Sequence, residues 1–416
     1  MVAASVYRHV QAYGVKRVVI LGFSHRHPIQ GIAVPDVDCI ETPLGAIRID
    51  RETADSLTAS PPFHSVPEEA TCDHSVEIQI PFLQTFVPHA TLVPLYVGRL
   101  TGEQRCAAAH ALRGLIDPHT VLIASSDLTH YGPDFGYMPF PLDASTPEKL
   151  RALDNAAIAA AGSLDPAHFI DELNRTGATV CGADPIRLLL ETLGGLHGEI
   201  FQETLDYATS GAITHDYQHS VSYGALGYFP PAAYRLDPPD QAALLEAARY
   251  TLDHHRRTGE TRYPQPLAES ALLQRGRAFV TLYDSKGALR GCTGRLDNCQ
   301  TLAECVSRVA IAAAFDDDRF PPVAPDEEIE IEVHVLTPTK RIADPRRLIS
   351  GEHGACLKWG AHRGLLLPVV ATRYQLSHEQ FLQALAKKTG APDTVYASTG
   401  WELDIFRDQS FRERPI

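Results

Sequence analysis

Arg17-Val18-Val19-Ile20-Leu21-Gly22-Phe23-Ser24-His25-Arg26-His27 is a short, continuous apolar run rich in β-branched residues, closed by glycine and followed by imidazoles. Such a run suits a strand buried on both faces, as in parallel sheets. Two more runs have the same character, Thr91-Leu92-Val93-Pro94-Leu95-Tyr96-Val97 and Val121-Leu122-Ile123-Ala124, and helical patterns lie around 103–116 and 147–161. Strands alternating with helices predict an α/β domain with a mostly parallel central sheet. In such sheets ligands bind beyond the carboxyl ends of the strands. Two of those ends carry unusual side chains. The run 18–21 leads into His25, and 121–124 leads into Ser125-Ser126-Asp127-Leu128-Thr129-His130-Tyr131-Gly132.

Two other segments add to this set. Cys72-Asp73-His74-Ser75-Val76-Glu77 brings a histidine and two acids. Thr179-Val180-Cys181-Gly182-Ala183-Asp184 puts a thiol just before a predicted helix, with Asp184 as its cap, Pro185 at its first position and Ile186, Leu189, Leu190 and Leu193 on one face. A helix N-terminus is expected to lower the Cys181 pKa and favour thiolate. Histidine, thiolate and carboxylate together suit iron, copper or zinc better than magnesium or calcium. Taken singly, each of these residues reads more readily as a loop hydrogen-bonding or solvated group, since the chain has 19 histidines; as a set at two strand ends and a helix start, a site and the bland reading stand about even. A thiol nucleophile at Cys181 with His130 as base is a further reading, although nothing in the sequence orients the base. A nucleophile elbow fails at Arg26, and no phosphate loop, dinucleotide fingerprint, H-E-x-x-H or C-x-x-C is present.

The chain has 416 residues, and 37 Lys and Arg against 51 Asp and Glu give a net charge of −14, which argues against a nucleic-acid-coating protein. No apolar run reaches the ~18 residues of a membrane-spanning helix. The start, Met1-Val2-Ala3-Ala4-Ser5-Val6-Tyr7-Arg8, does not read as a signal peptide. Eight cysteines without metal-type spacing fit free thiols and a cytoplasmic location.

The stretch 230–239 holds four prolines and reads as a linker between a domain at 1–229 and another at 240–416. Asp240 is expected to cap a helix carrying Leu245, Ala248 and Leu252, with Gly259 as its stop. The second half reads as α+β. Phe279–Tyr283 and Asp284-Ser285-Lys286-Gly287 form a strand and turn, and Thr301/Glu304 and Ser377/Gln380 are capping boxes. Glu328 to Val335 alternates as a strand, with Glu328, Glu330 and Glu332 read as a solvated face. In Leu289-Arg290-Gly291-Cys292-Thr293-Gly294 the glycines suggest a bend around an inward Cys292, or a tight backbone presenting the thiol. Arg319, in Arg319-Phe320-Pro321-Pro322, reaches an anionic ligand or pairs with Asp316 to Asp318. Arg290, Cys292 and Arg319 are expected to approach a shared cleft.

Leu21-Gly22-Phe23-Ser24-His25, Asp73-His74-Ser75-Val76-Glu77-Ile78-Gln79-Ile80-Pro81-Phe82, Ser125–Gly132, Cys181-Gly182 and Ser220-Val221-Ser222-Tyr223-Gly224 together resemble the Memo family, in order, over residues 1 to about 230. Leu289–Gly294, Asp318–Pro322, Gly364-Leu365-Leu366-Leu367-Pro368 and Trp401-Glu402-Leu403 resemble the AMMECR family over about 240–412. The chain therefore looks like a fusion of the B and A proteins of the AmmeMemoRadiSam system. The resemblance implies a fold like that of class III extradiol dioxygenases, which use non-haem iron. It also implies an iron or copper site with His25 and Cys181 as ligands, and Asp127, His130 and His74 as pocket residues. The implied partners are a radical-SAM protein and a small organic or peptide-like substrate, with a metal-independent binding or scaffold role as the alternative. The family's first metal histidine stands in a Pro-His-Ala-Gly-Tyr motif that this sequence lacks. Measured against the family, about fifty residues with an inner strand are expected to be missing before Met1.

Overall fold

The computed structural model describes residues 2–11, 13–67, 73–263, 276–297 and 301–413. Cys72 lies outside them. The chain divides into two units, Met1–Tyr228 and Phe229–Ile416.

The strands of the first unit are β1 (Arg17–Gly22), β2 (Ile32–Pro35), β3 (Cys39–Thr42), β4 (Gly45–Arg48), β5 (Phe63–Val66), β6 (Thr91–Val97), β7 (Thr120–Ala124), β8 (His130–Tyr131), β9 (Phe201–Thr209) and β10 (Ser220–Phe229). The central sheet runs β5-β2-β6-β1-β7. β1 is parallel to β6 and β7, and β2 is parallel to β5; only β2 and β6 are antiparallel. Helices cover both faces, which is why β1 is apolar from Val18 to Leu21. Val19 and Leu21 pack with Ala108, Leu112 and Leu188 on one side, while Val18 and Ile20 pack with Tyr7, Ile80 and Leu83 on the other. A smaller sheet, β8-β10-β9, pairs His130 with Val221 and so ties the loop after β7 to a second support.

Two expected helix starts move. The helix Ala183–Gly194 has Gly182 as its cap residue, with no side-chain cap, rather than Asp184. Asp184 and Pro185 stand inside the first turn, where an acid and a missing N–H are both tolerated. The helix Pro238–Thr258 is capped by Asp237, not Asp240, and its first residues are the prolines Pro238 and Pro239. Pro231–Tyr234 forms one turn of 3-10 helix. Gly259 ends the long helix at φ 73°.

The second unit holds β11 (Ala278–Asp284), β12 (Leu289–Arg295), β13 (Ile329–Leu336), β14 (Lys340–Ile342), β15 (Gly354–Trp359), β16 (His362–Leu366), β17 (Trp401–Phe406) and β18 (Asp408–Arg412). They form two antiparallel four-stranded sheets, β12-β11-β13-β18 and β14-β17-β15-β16. Helices Pro238–Thr258 and Leu302–Phe315 cover the first sheet through Ala248, Leu252, Val306 and Ala310 against Val280, Leu282, Ile331 and Val333. Helix His378–Thr389 covers the second through Phe381 and Leu385. Both capping boxes form, and the turn after β11 closes at Gly287 with φ 79°.

Candidate metal-binding site

The carboxyl ends of β1 and β7 and the start of helix Ala183–Gly194 bring the candidate side chains together. Close approach depends on two small residues. A Cβ on Gly22 would fall 2.6 Å from Val76 Cγ2, and one on Gly182 would fall 2.5 Å from Ser126 Cβ. These glycines let the segments carrying His25, His74, Asp127 and Cys181 abut.

Asp127, His130 and Cys181 form one group able to hold a metal ion, their ligand atoms all within 4.8 Å of one another. The Asp127 N–H donates to Cys181 Sγ at 3.2 Å, and His130 Nε2 lies 3.8 Å from Asp127 Oδ2. His130 Nδ1 lies 2.9 Å from the Thr179 carbonyl oxygen. A carbonyl only accepts, so Nδ1 carries the proton and Nε2 of the neutral ring keeps its lone pair on the Asp127 side. Thr179 Oγ1 also accepts the His130 N–H at 2.8 Å.

His25, Asp73 and His74 form a second such group. Asp73 is 1% exposed and caps the helix His74–Glu77 through Ser75 N. Its Oδ1 lies 3.0 Å from His25 Nδ1, which leaves His25 Nε2 unprotonated in the neutral ring. The rings of His25 and His74 stack with centroids 4.2 Å apart. Both imidazoles act electrostatically on Asp127, so the two groups are near neighbours.

Burial pushes the Asp127 carboxyl above the ordinary carboxylate range, against the pull of His130, His74 and His25. The Cys181 thiol is likewise raised, first by burial and also by the Asp127 charge, against the N–H of Asp127 and the Ser126 hydroxyl. This corrects the expectation that the helix N-terminus lowers it: desolvation of a thiolate outweighs half a charge at a helix end. Burial pulls Asp73 upward too, but the N–H groups of Ser75 and His25 and the His25 ring outweigh it and hold Asp73 low.

Three further residues shape the site without a role assigned to them from the sequence. Asp73 orients His25, and its place just before a short helix was a legible cap signal. Thr179 orients His130 through tertiary contacts with no local signature. Tyr223, on β10, has its phenol raised by burial and by the Asp127 charge.

In the second unit Cys292 and Arg319 meet. Arg319 Nη2 donates to the Cys292 carbonyl at 3.2 Å, and Asp317 accepts from the Cys292 N–H at 2.8 Å. Arg319 is itself paired with Asp317 through Nε at 2.8 Å and Nη2 at 2.6 Å. Arg290 turns to Glu327, with Nε at 2.5 Å and Nη2 at 3.0 Å, and so anchors the loop containing Arg319. The glycines serve close packing: a Cβ on Gly291 would lie 2.0 Å from Ala313 O, and one on Gly294 the same distance from the Phe279 ring. Glu330 and Glu332 do not form a solvated face. Glu330 pairs with Arg412, and Glu332 accepts from Tyr283 Oη at 2.7 Å.

Comparison with known proteins agrees with this architecture. The family model for Memo-like proteins matches residues 1–227, and the AMMECR1 model matches residues 245–411. The chain belongs to the Memo family and carries an AMMECR1 domain after it. The memo-1 homolog of Caenorhabditis elegans is 30% identical over 234 residues, covering 54% of this chain and 67% of that protein. A protein of Methanothermobacter thermautotrophicus is 37% identical over 179 residues, covering 41% of this chain and 92% of its own length. The solved structure of PH0010 from Pyrococcus horikoshii aligns with TM-score 0.41 at 29% identity over 43% of this chain and 94% of its own. No described helix is long and apolar enough to cross a membrane.

Proposed function

We propose that the Memo-like unit is a redox enzyme of dioxygenase-like type that uses non-haem iron or copper on a small organic or peptide-like substrate. The observation carrying this reading is the approach of the Asp127, His130 and Cys181 ligand atoms to within 4.8 Å of one another. The donor set fits such an ion. One thiol accepts a backbone N–H, one imidazole has its far nitrogen fixed by a carbonyl, and one carboxylate adjoins both. Cys181, His130 and Asp127 would hold the ion, with His25 as a further candidate imidazole donor. An iron or copper ion bound there supplies one-electron chemistry and a binding position for oxygen-containing ligands.

The protein's own groups do the rest. Asp73 fixes the His25 ring, and Thr179 fixes the His130 ring. Tyr223, its phenol raised by burial and by the Asp127 charge, would hold or pass a proton at the reacting atoms. His74, exposed at the rim and stacked on His25, meets the incoming substrate. A radical-SAM protein is the proposed partner, on the strength of the Memo and AMMECR pairing in one chain.

The test is anaerobic reloading of the purified chain with Fe(II) or Cu, followed by metal analysis. About one ion per chain is expected, lost in Cys181→Ala and in His130→Ala while both variants keep their far-ultraviolet dichroism. A chain that takes up no metal overturns the reading and favours a binding or scaffold role.

A further inference from the structure

The segment after β1 and the start of helix His74–Glu77 are clamped together by bonds that involve neither imidazole ring. Ser75 Oγ accepts the Phe23 N–H at 3.0 Å and donates to the Phe23 carbonyl at 2.5 Å. Asp73 Oδ2 accepts the His25 N–H at 2.8 Å, and Asp73 Oδ1 accepts the Ser75 N–H at 2.9 Å. A Cβ on Gly22 would fall 2.8 Å from Ser75 Oγ, so the two segments touch without slack. The backbone at His25, Asp73 and His74 is therefore set before any ligand arrives, which is the condition for a preorganised site.

Three metal-binding atoms meet on this clamp. Asp73 Oδ1 lies 3.0 Å from His25 Nδ1 and 3.7 Å from His74 Nδ1. Two nitrogen or oxygen ligands of a tetrahedral zinc ion stand about 3.3 Å apart, and the two separations bracket that value. The His25 contact has a structural explanation, since the Asp73 bond orients that ring. The His74 contact has none: 3.7 Å is too long for a hydrogen bond, and the ring adds nothing to the clamp. The two rings stack at 18°, so their lone pairs run side by side. A turn of the His74 ring brings them onto one ion, and its side chain, 66% exposed, is free to make it. Asp73, 1% exposed, is the fixed member and supplies the negative charge.

We infer that His25, Asp73 and His74 form a second metal site, for a zinc-like divalent ion with an open position for water or a substrate oxygen. Two imidazoles and one carboxylate, with no thiolate, are a donor set of that kind. The site uses none of Asp127, His130 and Cys181 and does not rest on the redox reading. Coordination through Nδ1 moves the His25 ring proton to Nε2, so a ring engaged here is not a donor to the first ion. Lacking a thiolate and open to solvent, this site fills after the Cys181 group and empties first on desalting.

Co(II), a spectroscopic stand-in for zinc, tests this in the full chain by equilibrium dialysis with metal analysis and absorption spectra. A cobalt ion on Cys181 gives a thiolate-to-metal charge-transfer band, whereas one on His25, Asp73 and His74 gives d–d bands alone. Two ions per chain are expected in excess Co(II). His74→Ala and the bulkier His74→Gln should each bind one and keep the charge-transfer band. Cys181→Ala should bind one without that band. His27→Ala, which removes a neighbouring exposed imidazole, should still bind two. One ion without a charge-transfer band, lost in His74→Ala, would support this site while removing the Cys181 centre. Cobalt binding that is the same in the wild type and in both His74 variants overturns the proposal.

Discussion

Asp73 grips His25 at two points: Oδ2 accepts the His25 backbone N–H at 2.8 Å, and Oδ1 accepts Nδ1–H at 3.0 Å. A carboxylate 1% exposed thus sets both the position of the His25 segment and the ring tautomer. It also caps the helix that presents His74. One buried acid organises half of the crevice.

Asp73→Asn separates these roles. The amide oxygen can still cap Ser75 N, so the helix start should survive. That oxygen, Oδ1, faces both Ser75 N and His25 Nδ1, so it keeps the Nδ1–H bond only as a weaker, neutral acceptor, while the amide NH2 replaces the Oδ2 that accepted the His25 backbone N–H and releases the His25 segment. Metal affinity is expected to fall about 10- to 100-fold, as for other outer-shell carboxylates, with thermal stability nearly unchanged. Competition against a chelator of known affinity measures the first quantity, and unfolding by circular dichroism the second. Unchanged affinity would remove Asp73 from the site.

Gly182→Ala tests the contact between the β7 loop and the Cys181 segment. The new Cβ would fall 2.5 Å from Ser126 Cβ and 2.6 Å from Ser125 O, so backbone has to part. The bond from Gly182 N to Ser126 Oγ, 2.8 Å, lengthens with it, and Cys181 Sγ moves off the Asp127 N–H. A stability loss of about 2 kcal/mol is expected, typical of overpacking, together with loss of bound iron. Gly102→Ala, whose Cβ would meet nothing nearer than an Arg105 nitrogen at 4.0 Å, should cost neither.

The parts of this architecture that were legible were those where one local signal decides. The runs in β1, β6 and β7 read as strands because helices cover both sheet faces. The capping boxes at Thr301 and Ser377 read as helix starts because cap and partner lie three residues apart. What stayed hidden is tertiary. Phe201–Thr209 carries Gln202, Glu203 and Asp206, and Glu203 interrupts the face of Phe201, Leu205 and Tyr207, yet it is a nine-residue strand supported by β10. The Cys181 thiol was read from its helix end, but burial sets its direction. Glu330 and Glu332 looked solvated because strand alternation says which residues share a face, not what covers that face. His25, His74, Asp127, His130 and Cys181 could each be named from strand ends and motifs. Their division into two groups about Asp127 could not.

Asp154 is a buried carboxylate that touches no candidate ligand, yet it holds the loop that carries two of them. It accepts from Thr129 N at 3.2 Å, Thr129 Oγ1 at 2.6 Å and Tyr207 Oη at 2.7 Å. Thr129 lies between Asp127 and His130. Asp154→Ala strands all three donors and is expected to cost about 3 kcal/mol. Asp154→Asn keeps an acceptor and should cost about 1 kcal/mol. Hydrogen exchange at the Thr129 amide checks the mechanism: protection should collapse in the alanine variant and persist in the asparagine variant.

His334 makes the stability of the AMMECR1 domain depend on pH. Burial alone would lower its pKa, but the hydrogen bond to Asp408 and the charges of Asp408 and Glu332 outweigh that and raise it to about 9. In the unfolded chain it titrates near its ordinary value of about 6.5. Because the folded value is the higher one, the folded state binds the proton more tightly. The stabilisation is fully present below about pH 6.5 and is lost as pH rises through about 9, and it amounts to on the order of 3 kcal/mol. Tyr283, which bonds Glu332, is pushed up to about 12 and stays out of this window. Lys388 is lowered toward it and contributes separately. Both tryptophans of the chain, Trp359 and Trp401, lie in this domain, so their fluorescence follows its unfolding alone. In urea the wild-type midpoint should fall between pH 6.5 and 9.5. His334→Gln should start lower and show a much flatter profile, because the titrating group is gone. Parallel profiles for the two proteins would mean that His334 carries no linked proton.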